Sequence, residues 1–368
     1  MGNDLNQNFG GELVVGLDAG GTRTRAVLAA AADGRPLGEG AAGPGNAMTV
    51  PLPQFTDHLA EAVAAAVPRE ARGRVVSVTG GFAGATAASP DDPGHVNARA
   101  ALSAALRRLG IPPGPVGICS DIEAAFAAAP DTPADGLALV AGTGAVAMRI
   151  TGRRGTVTVD GDGWLLGDDG SGFWIGRSAV RAALRMADGR GPATALALSV
   201  GRALRLPGGV LPHEGESERD RGGESERGGE SERRSESERE GRVERQDAWS
   251  RPRREAYRMH LLPAVMADPP IRLARLAPLV AEAARDKDTV AGAILDEAAD
   301  QLTGTVRALE PRPGEPLVAT GGLLGPDGPL TPLLAPRLAA LGLTLDWVAD
   351  GCRGAVALAR LAHGGGSR

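Results

Sequence analysis

The sequence predicts an α/β protein built from two related halves, each a mixed sheet flanked by helices. Three observations lead there. Short apolar runs alternate with longer amphipathic stretches from residue 13 to the end of the chain, the pattern of layered α/β architecture. Two of those runs, 13–17 and 137–140, pass through a glycine-bearing turn straight into a second apolar run. That is the mark of a hairpin, so neither sheet is purely parallel. The two hairpins also echo one another, a weak internal repeat.

Bulk properties agree. A chain of 368 residues has room for two domains, each with its own core, and 42% hydrophobic with 23% charged residues fits a globular protein. Aromatic residues make up only 3%, and Lys287 is the only lysine, so no lysine-bearing P-loop is present. A net charge of −5 argues against nucleic acid as a partner. No apolar run approaches the ~18 residues that span a bilayer, and no basic-plus-apolar signal opens the chain, so a cytoplasmic location is expected. Two cysteines, Cys119 and Cys352, exclude a disulfide framework and a four-cysteine metal site.

Taken in order, residues 13–17 form a buried strand ending in Asp18-Ala19-Gly20-Gly21-Thr22, and 26–28 a second strand. Residues 43–46 read as a loop, 55–67 as an amphipathic helix, and 75–79 as a strand running into Gly80-Gly81. A helix is expected over 96–109, closed by Gly110 and the prolines beyond. A short strand at 115–119 leads to Ser120-Asp121, which opens a helix. Residues 130–135 are linker-like and mark the boundary between an N-terminal lobe, 12–130, and a C-terminal lobe, 131–365. The second lobe begins with a strand, the turn Ala141-Gly142-Thr143-Gly144, and strands over 145–150 and 156–159. A glycine-flanked acidic loop, Gly167-Asp168-Asp169-Gly170-Ser171, then opens a long helix. Residues 213–250 differ in kind. They repeat Gly-Gly-Glu-Ser-Glu-Arg at 222–227 and 228–233, carry almost nothing apolar to bury, and are expected to be a disordered insertion. Helices resume to residue 309, followed by a strand ending in Thr320-Gly321-Gly322, a helix, a strand at 344–348 and a closing helix.

The chemistry is expected at strand ends. Glycines without Cβ let backbone N–H groups surround an anion, and Thr22 and Thr24 add hydroxyl donors. Asp18 could hold Mg²⁺ through water. Three glycine turns following apolar strands, at 18–22, 141–145 and 320–322, suggest a nucleotide clamped between two halves, and neither G-x-x-x-x-G-K-[ST] nor G-x-G-x-x-G occurs. Asp121 would project from a sheet edge, although a first-turn or capping acid is an equally ordinary use of that position. Asp168 and Asp169 could reach a polyhydroxy ligand or cap the following helix. Asn46 reads as a plain turn residue unless a ligand lies beside it. None of the five histidines has a partner at the spacing of a hydrolase triad.

These motifs, with Gly45-Asn46, Ser120-Asp121-Ile122-Glu123-Ala124-Ala125 and Gly167-Asp168-Asp169-Gly170-Ser171-Gly172, resemble the BadF/BadG/BcrA/BcrD ATPase family over about residues 13–360, and within it the N-acetylglucosamine kinases. The resemblance implies two RNase H-like lobes of the actin, hexokinase and Hsp70 superfamily, with ATP and Mg²⁺ in the cleft between them. It implies an ATP site at Asp18, Gly20, Gly21, Thr22, Arg23 and Thr24, at Gly142, Thr143 and Gly144, and at Gly321 and Gly322, with Asp18 near the metal. It makes Asp121 the catalytic base and places Asn46, Gly81, Asp121, Gly167 and Asp168 at an amino sugar, with a homodimer as a possible assembly. Arg23 replaces a usual Lys, which alters reach; Ala19 replaces Gly and Asp169 replaces Glu.

The function so implied is transfer of phosphate from ATP to the 6-hydroxyl of an amino sugar, N-acetylglucosamine first and glucosamine or another hexose second. A dehydratase-activating ATPase of the same family would need an iron–sulfur cluster held by several thiolates. A non-catalytic sugar or nucleotide sensor would be favoured by a missing base or a broken phosphate loop, and both are intact.

Overall fold

The computed structural model describes residues 11–85, 91–112, 114–213 and 249–365. The expected insertion at 213–250 falls almost wholly outside them. Two five-stranded sheets organise the chain. The first runs β3-β2-β1-β4-β5, with β1 at Leu13–Ala19, β2 at Thr24–Ala30, β3 at Pro36–Ala42, β4 at Val75–Phe82 and β5 at Val116–Ser120. The second runs β10-β9-β6-β7-β8, with β6 at Gly136–Ala141, β7 at Ala145–Thr151, β8 at Arg154–Asp160, β9 at Leu317–Thr320 and β10 at Leu345–Trp347. In each, three antiparallel strands in sequence order are followed by two parallel ones laid beside the first. The echo between the hairpins is therefore a repeat of the whole sheet topology, and the two-lobed mixed α/β class is what the chain adopts.

Helices cover the sheets. In the first half these are α1 (Leu52–Ala66), α2 (Pro93–Leu109) and α3 (Asp121–Ala127). Leu59, Val63, Leu102 and Leu106 bury the apolar stripes of α1 and α2 in the core beneath β1, β2 and β4. In the second half come α4 (Gly172–Ala187), α5 (Leu196–Ala203), α6 (Arg251–Met266), a 3-10 turn at Pro270–Leu276, α7 (Ala277–Arg285), α8 (Thr289–Arg307), α9 (Thr331–Ala339) and α10 (Cys352–Gly365). Sequence order puts α10 in the second half. In space it packs against β1, β4 and α3, burying Ala355, Val356 and Ala359 at 0–5% exposure. The chain thus crosses between lobes twice, near residues 128–135 and 348–351.

Strand β3 has no counterpart in the sequence reading. Its segment Pro-Leu-Gly-Glu-Gly-Ala-Ala lacks the β-branched residues that announce a strand. The reason is steric: a Cβ on Gly38 or Gly40 would run into the Ala66 and Ala62 carbonyls of α1, so the glycines that let the helix approach also erase the strand signal. No helix among the described residues is long and apolar enough to cross a membrane.

Candidate active site

Asp18, Gly81 and Cys119 lie side by side at the C-terminal edge of the first sheet, because β1, β4 and β5 run parallel in that register. Neighbouring strands are ~4.8 Å apart, so Asp18 and the start of α3 stand about two strand spacings from each other across Gly81. A side chain on Gly81 would strike the Ala124 methyl of α3 at 2.5 Å; its absence lets the catalytic-helix candidate sit against the strand end.

The start of α3 is held by a capping box. Glu123 N donates to Ser120 Oγ at 3.1 Å, and Ser120 N donates to Glu123 Oε2 at 2.7 Å. Ser120, not Asp121, is therefore the N-cap. Asp121 occupies the first turn, and its Oδ1 accepts from the N–H of Ile122 at 3.0 Å. Burial raises its pKa from 3.8 to about 6, with the negative charge of Asp18 adding to the shift and local backbone donors opposing it. A carboxyl that titrates near 6 and is not committed to capping is suited to accept a proton at neutral pH.

Asp18 is held from two sides. Arg25 Nη2 donates to Asp18 Oδ2 at 2.9 Å, while Arg25 Nη1 donates to Asp350 Oδ2 at 2.8 Å, and Gly351 N approaches Asp18 Oδ2 at 3.3 Å. Burial raises the Asp18 pKa and Arg25 opposes it. Asp18 Oδ1 takes no hydrogen bond among the described residues. An acceptor oxygen at a glycine loop, uncommitted to protein, fits a hydrated Mg²⁺. Asp18, Asp350 and Cys352 also bring their donor atoms within 4.8 Å of one another. Arg25 already bridges the two carboxylates there, and burial pushes the Cys352 thiol well above its ordinary range, so that trio makes a poor metal site.

The glycine turns differ in what they expose. Gly20 N donates to Arg23 O at 3.0 Å and closes the first turn, while the amides of Gly21 and Thr22 make no hydrogen bond among the described residues. Gly21, Thr22 and Arg23 are exposed. Thr24 is not: it is fully buried beneath Gly45, and its hydroxyl has no partner among the described residues. In the second turn Gly142 N donates to Gly144 O at 2.9 Å, and the amides of Thr143 and Gly144 are likewise uncommitted. The first residues of α4 brace this turn, with Gly172 N donating to Gly142 O at 2.8 Å and Phe173 N to Thr143 O at 3.1 Å. Gly321 holds φ at +105°, where a Cβ would collide with the Ala141 carbonyl and the Gly142 amide. The second and third glycine turns are thereby packed together, and both line a cleft of about 800 Å³.

Asp168 is 7% exposed, and its Oδ1 accepts from Ala145 N at 3.0 Å, tying the acidic loop to the base of the second turn. Ser171 caps the following helix through Trp174 N, so neither Asp168 nor Asp169 has that task. The loop is clamped by Asp160, which accepts from Asp168 N at 2.6 Å and Asp169 N at 2.9 Å. Gly167 abuts the Asp160 carboxylate. Asn46 uses Oδ1 to accept from Met48 N and Thr49 N at 2.9 and 3.0 Å, leaving its Nδ2 without a partner among the described residues.

The structure thus gathers Asp18, Gly20–Thr24, Asn46, Gly81 and Asp121 at the edge of the first sheet, and Gly142–Gly144, Asp168, Gly321 and Gly322 at the edge of the second. Sequence reasoning missed Arg25, Asp350, Glu123 and Asp160. Glu123 was legible in Ser120-x-x-Glu123 as a capping box. Its second task was not: Oε1 accepts from Gly155 N at 2.8 Å on β8, so one carboxylate, 3% exposed, joins α3 to the other lobe. Arg25 and Asp350 are 325 positions apart, and no local pattern pairs them.

Comparison with known proteins agrees with this architecture. The profile of the BadF/BadG/BcrA/BcrD ATPase family matches residues 15–331. Among solved structures, a candidate N-acetylglucosamine kinase of Chromobacterium violaceum aligns with a TM-score of 0.62 at 20% identity, covering 96% of this chain and 99% of that one. A candidate N-acetylglucosamine kinase of Porphyromonas gingivalis aligns with a TM-score of 0.64 at 18% identity, covering 95% and 99%. A ROK-family transcriptional regulator, a homologue of the E. coli MLC protein, aligns at 0.53 and 12% identity, covering 97% and 79%. At these identities the likeness establishes a shared fold. No curated protein matches the sequence. The chain belongs to the BadF/BadG/BcrA/BcrD ATPase family.

Proposed function

From membership of that ATPase family, we propose that the protein is an ATP-dependent sugar kinase, transferring the γ-phosphoryl group to the 6-hydroxyl of an amino sugar, with N-acetylglucosamine the first choice and glucosamine the second. The observation that carries the reading is Asp121: a carboxyl raised to about 6, freed from capping by Ser120, across Gly81 from Asp18 at the C-terminal edge of the parallel strands β1, β4 and β5. An ATPase that only hydrolyses or senses nucleotide has less need of a base tuned in this way. The structural neighbours named for N-acetylglucosamine kinases add support for the acceptor.

In this reading the uncommitted amides of Gly21, Thr22, Thr143 and Gly144 hold phosphate oxygens. Mg²⁺ held at Asp18 through water would supply neutralisation of phosphate charge. Asp121 accepts the hydroxyl proton as the new P–O bond forms, worth roughly 10²–10⁴ in rate for a positioned base. Asn46 Nδ2 and the Asp168 carboxylate offer a donor and an acceptor to sugar hydroxyls. The activator-ATPase alternative needs thiolates, and burial pushes the thiols of both Cys119 and Cys352 up, away from that form.

The test is ADP release across a panel of sugars, with the wild-type chain and Asp121→Asn side by side. Turnover that depends on N-acetylglucosamine or glucosamine and disappears in the variant is the expected result. Hydrolysis indifferent to every sugar, or to loss of the Asp121 carboxylate, would overturn the kinase.

A further inference from the structure

The acidic loop between β8 and α4 is strained at both ends. Asp160 and Asp168 hold φ at +64° and +58°, in the left-handed region that penalises any residue with a Cβ, though aspartate less than most. Such conformations persist only where the surroundings over-determine them. Here the two strained residues hold each other. Asp160 Oδ1 accepts from Asp168 N at 2.6 Å and its Oδ2 from Asp169 N at 2.9 Å, so one carboxylate spans two successive amides. Oδ1 also accepts from Gly161 N at 2.7 Å. Bonds of this kind, to an ionised acceptor, are the stronger ones. Gly167 makes room for the arrangement, because a Cβ there would run into Asp160 Oδ1. Both Asp160 oxygens are thus spent on backbone donors, which makes the residue a clamp rather than a ligand group.

The clamp decides where the Asp168 carboxylate goes. Its Oδ1 turns back to Ala145 N at 3.0 Å, into space that the missing Cβ of Gly144 leaves open. Its Oδ2 accepts no hydrogen bond among the described residues and is not one of the buried polar atoms sealed without a partner. One oxygen of a largely buried carboxylate is therefore left for a ligand hydroxyl. The second glycine turn does not depend on the clamp, since Gly172 N, Phe173 N and the packing of Gly321 brace it separately.

We propose that Asp160 is a positioning residue for the acceptor: it locks the Asp168 backbone in its left-handed form, so that Asp168 Oδ2 meets a sugar hydroxyl, and it does so without touching the sugar. The inference rests on the kinase reading, in which Asp168 receives that hydroxyl.

Steady-state ADP release tests it, with N-acetylglucosamine varied at saturating MgATP and MgATP varied at saturating sugar. Asp160→Ala should raise the KM for the sugar by about fivefold or more, a share of the roughly tenfold that loss of a hydrogen bond to a charged group costs, while kcat and the KM for MgATP stay within about twofold. Asp160→Asn keeps one acceptor oxygen and should fall between. Gly167→Ala pushes the Asp160 carboxylate aside without removing it and should reproduce the loss, which keeps the test alive if Asp160→Ala does not fold. Asp168→Gly removes the carboxylate and accepts φ +58° freely, so adding Asp160→Ala to it should raise the sugar KM by no more than about twofold further. Losses that add in the double variant, equal rises in both KM values, a fall in kcat alone, or an unchanged sugar KM would each overturn the positioning role and leave the kinase standing. A wild-type chain without sugar-dependent turnover would overturn both.

Discussion

Replacing Asp121 with Asn should make the protein more stable while silencing it. The carboxyl titrates at about 6 in the folded chain against the ordinary 3.8 of an aspartate, about two pH units higher. At ~1.36 kcal/mol per unit, the ionised group costs the fold about 3 kcal/mol. The sign follows from the direction. A raised carboxyl binds its proton more tightly when folded, so its contribution to stability is fully present below pH 3.8 and is lost as pH rises through about 6. Asn keeps a carbonyl oxygen for the N–H of Ile122 and carries no charge toward Asp18. Urea denaturation of both proteins from pH 4 to pH 8 should therefore show the variant ahead by little at pH 4 and by up to about 3 kcal/mol at pH 8. Turnover at pH 8, where the wild-type base is ionised, should fall by roughly 10²–10⁴. In the wild type, kcat/KM should decline on the acid side of about pH 6 as the base is protonated. A variant less stable than wild type at pH 8, or a stability difference that does not change with pH, would refute the idea that burial strains this carboxylate for catalysis.

Further outcomes follow from the neighbouring residues. Arg25→Met leaves Asp18 and Asp350 facing each other with donor atoms within 4.8 Å, a repulsion of about 3.5 kcal/mol at an effective dielectric near 20. The variant should lose stability on that order at pH 8 and recover much of it near pH 4, read by the same urea titration. Glu123→Gln keeps the size of the side chain but turns one acceptor into a donor, orphaning the N–H of Ser120 or of Gly155. It should cost about 1–3 kcal/mol of unfolding free energy and lower kcat more than it raises KM, since α3 loses its tie to β8. Gly321→Ala forces a Cβ onto the Ala141 carbonyl at φ +105° and should abolish MgADP binding in calorimetry while sugar binding persists.

How much of this was legible before any coordinates follows from how local each signal is. Asp18, Gly20–Gly21, Gly142–Gly144 and Gly321–Gly322 announce themselves because an apolar run followed by glycine and a small polar residue says strand, then turn, within a handful of positions. Ser120-x-x-Glu123 is likewise a local cap and fixes where α3 begins. Those patterns alone established the α/β class, the two related halves and the strand ends where chemistry could sit. Tertiary structure decided what the local patterns could not. It paired Arg25 with Asp350 across 325 positions, carried α10 back onto the first sheet, and reached Glu123 across to β8. It buried Thr24 that the turn pattern had offered as a donor, and it committed one oxygen of Asp168 to Ala145. Above all it set the acidity of Asp121, since desolvation depends on everything packed around a carboxyl and on almost nothing beside it in sequence.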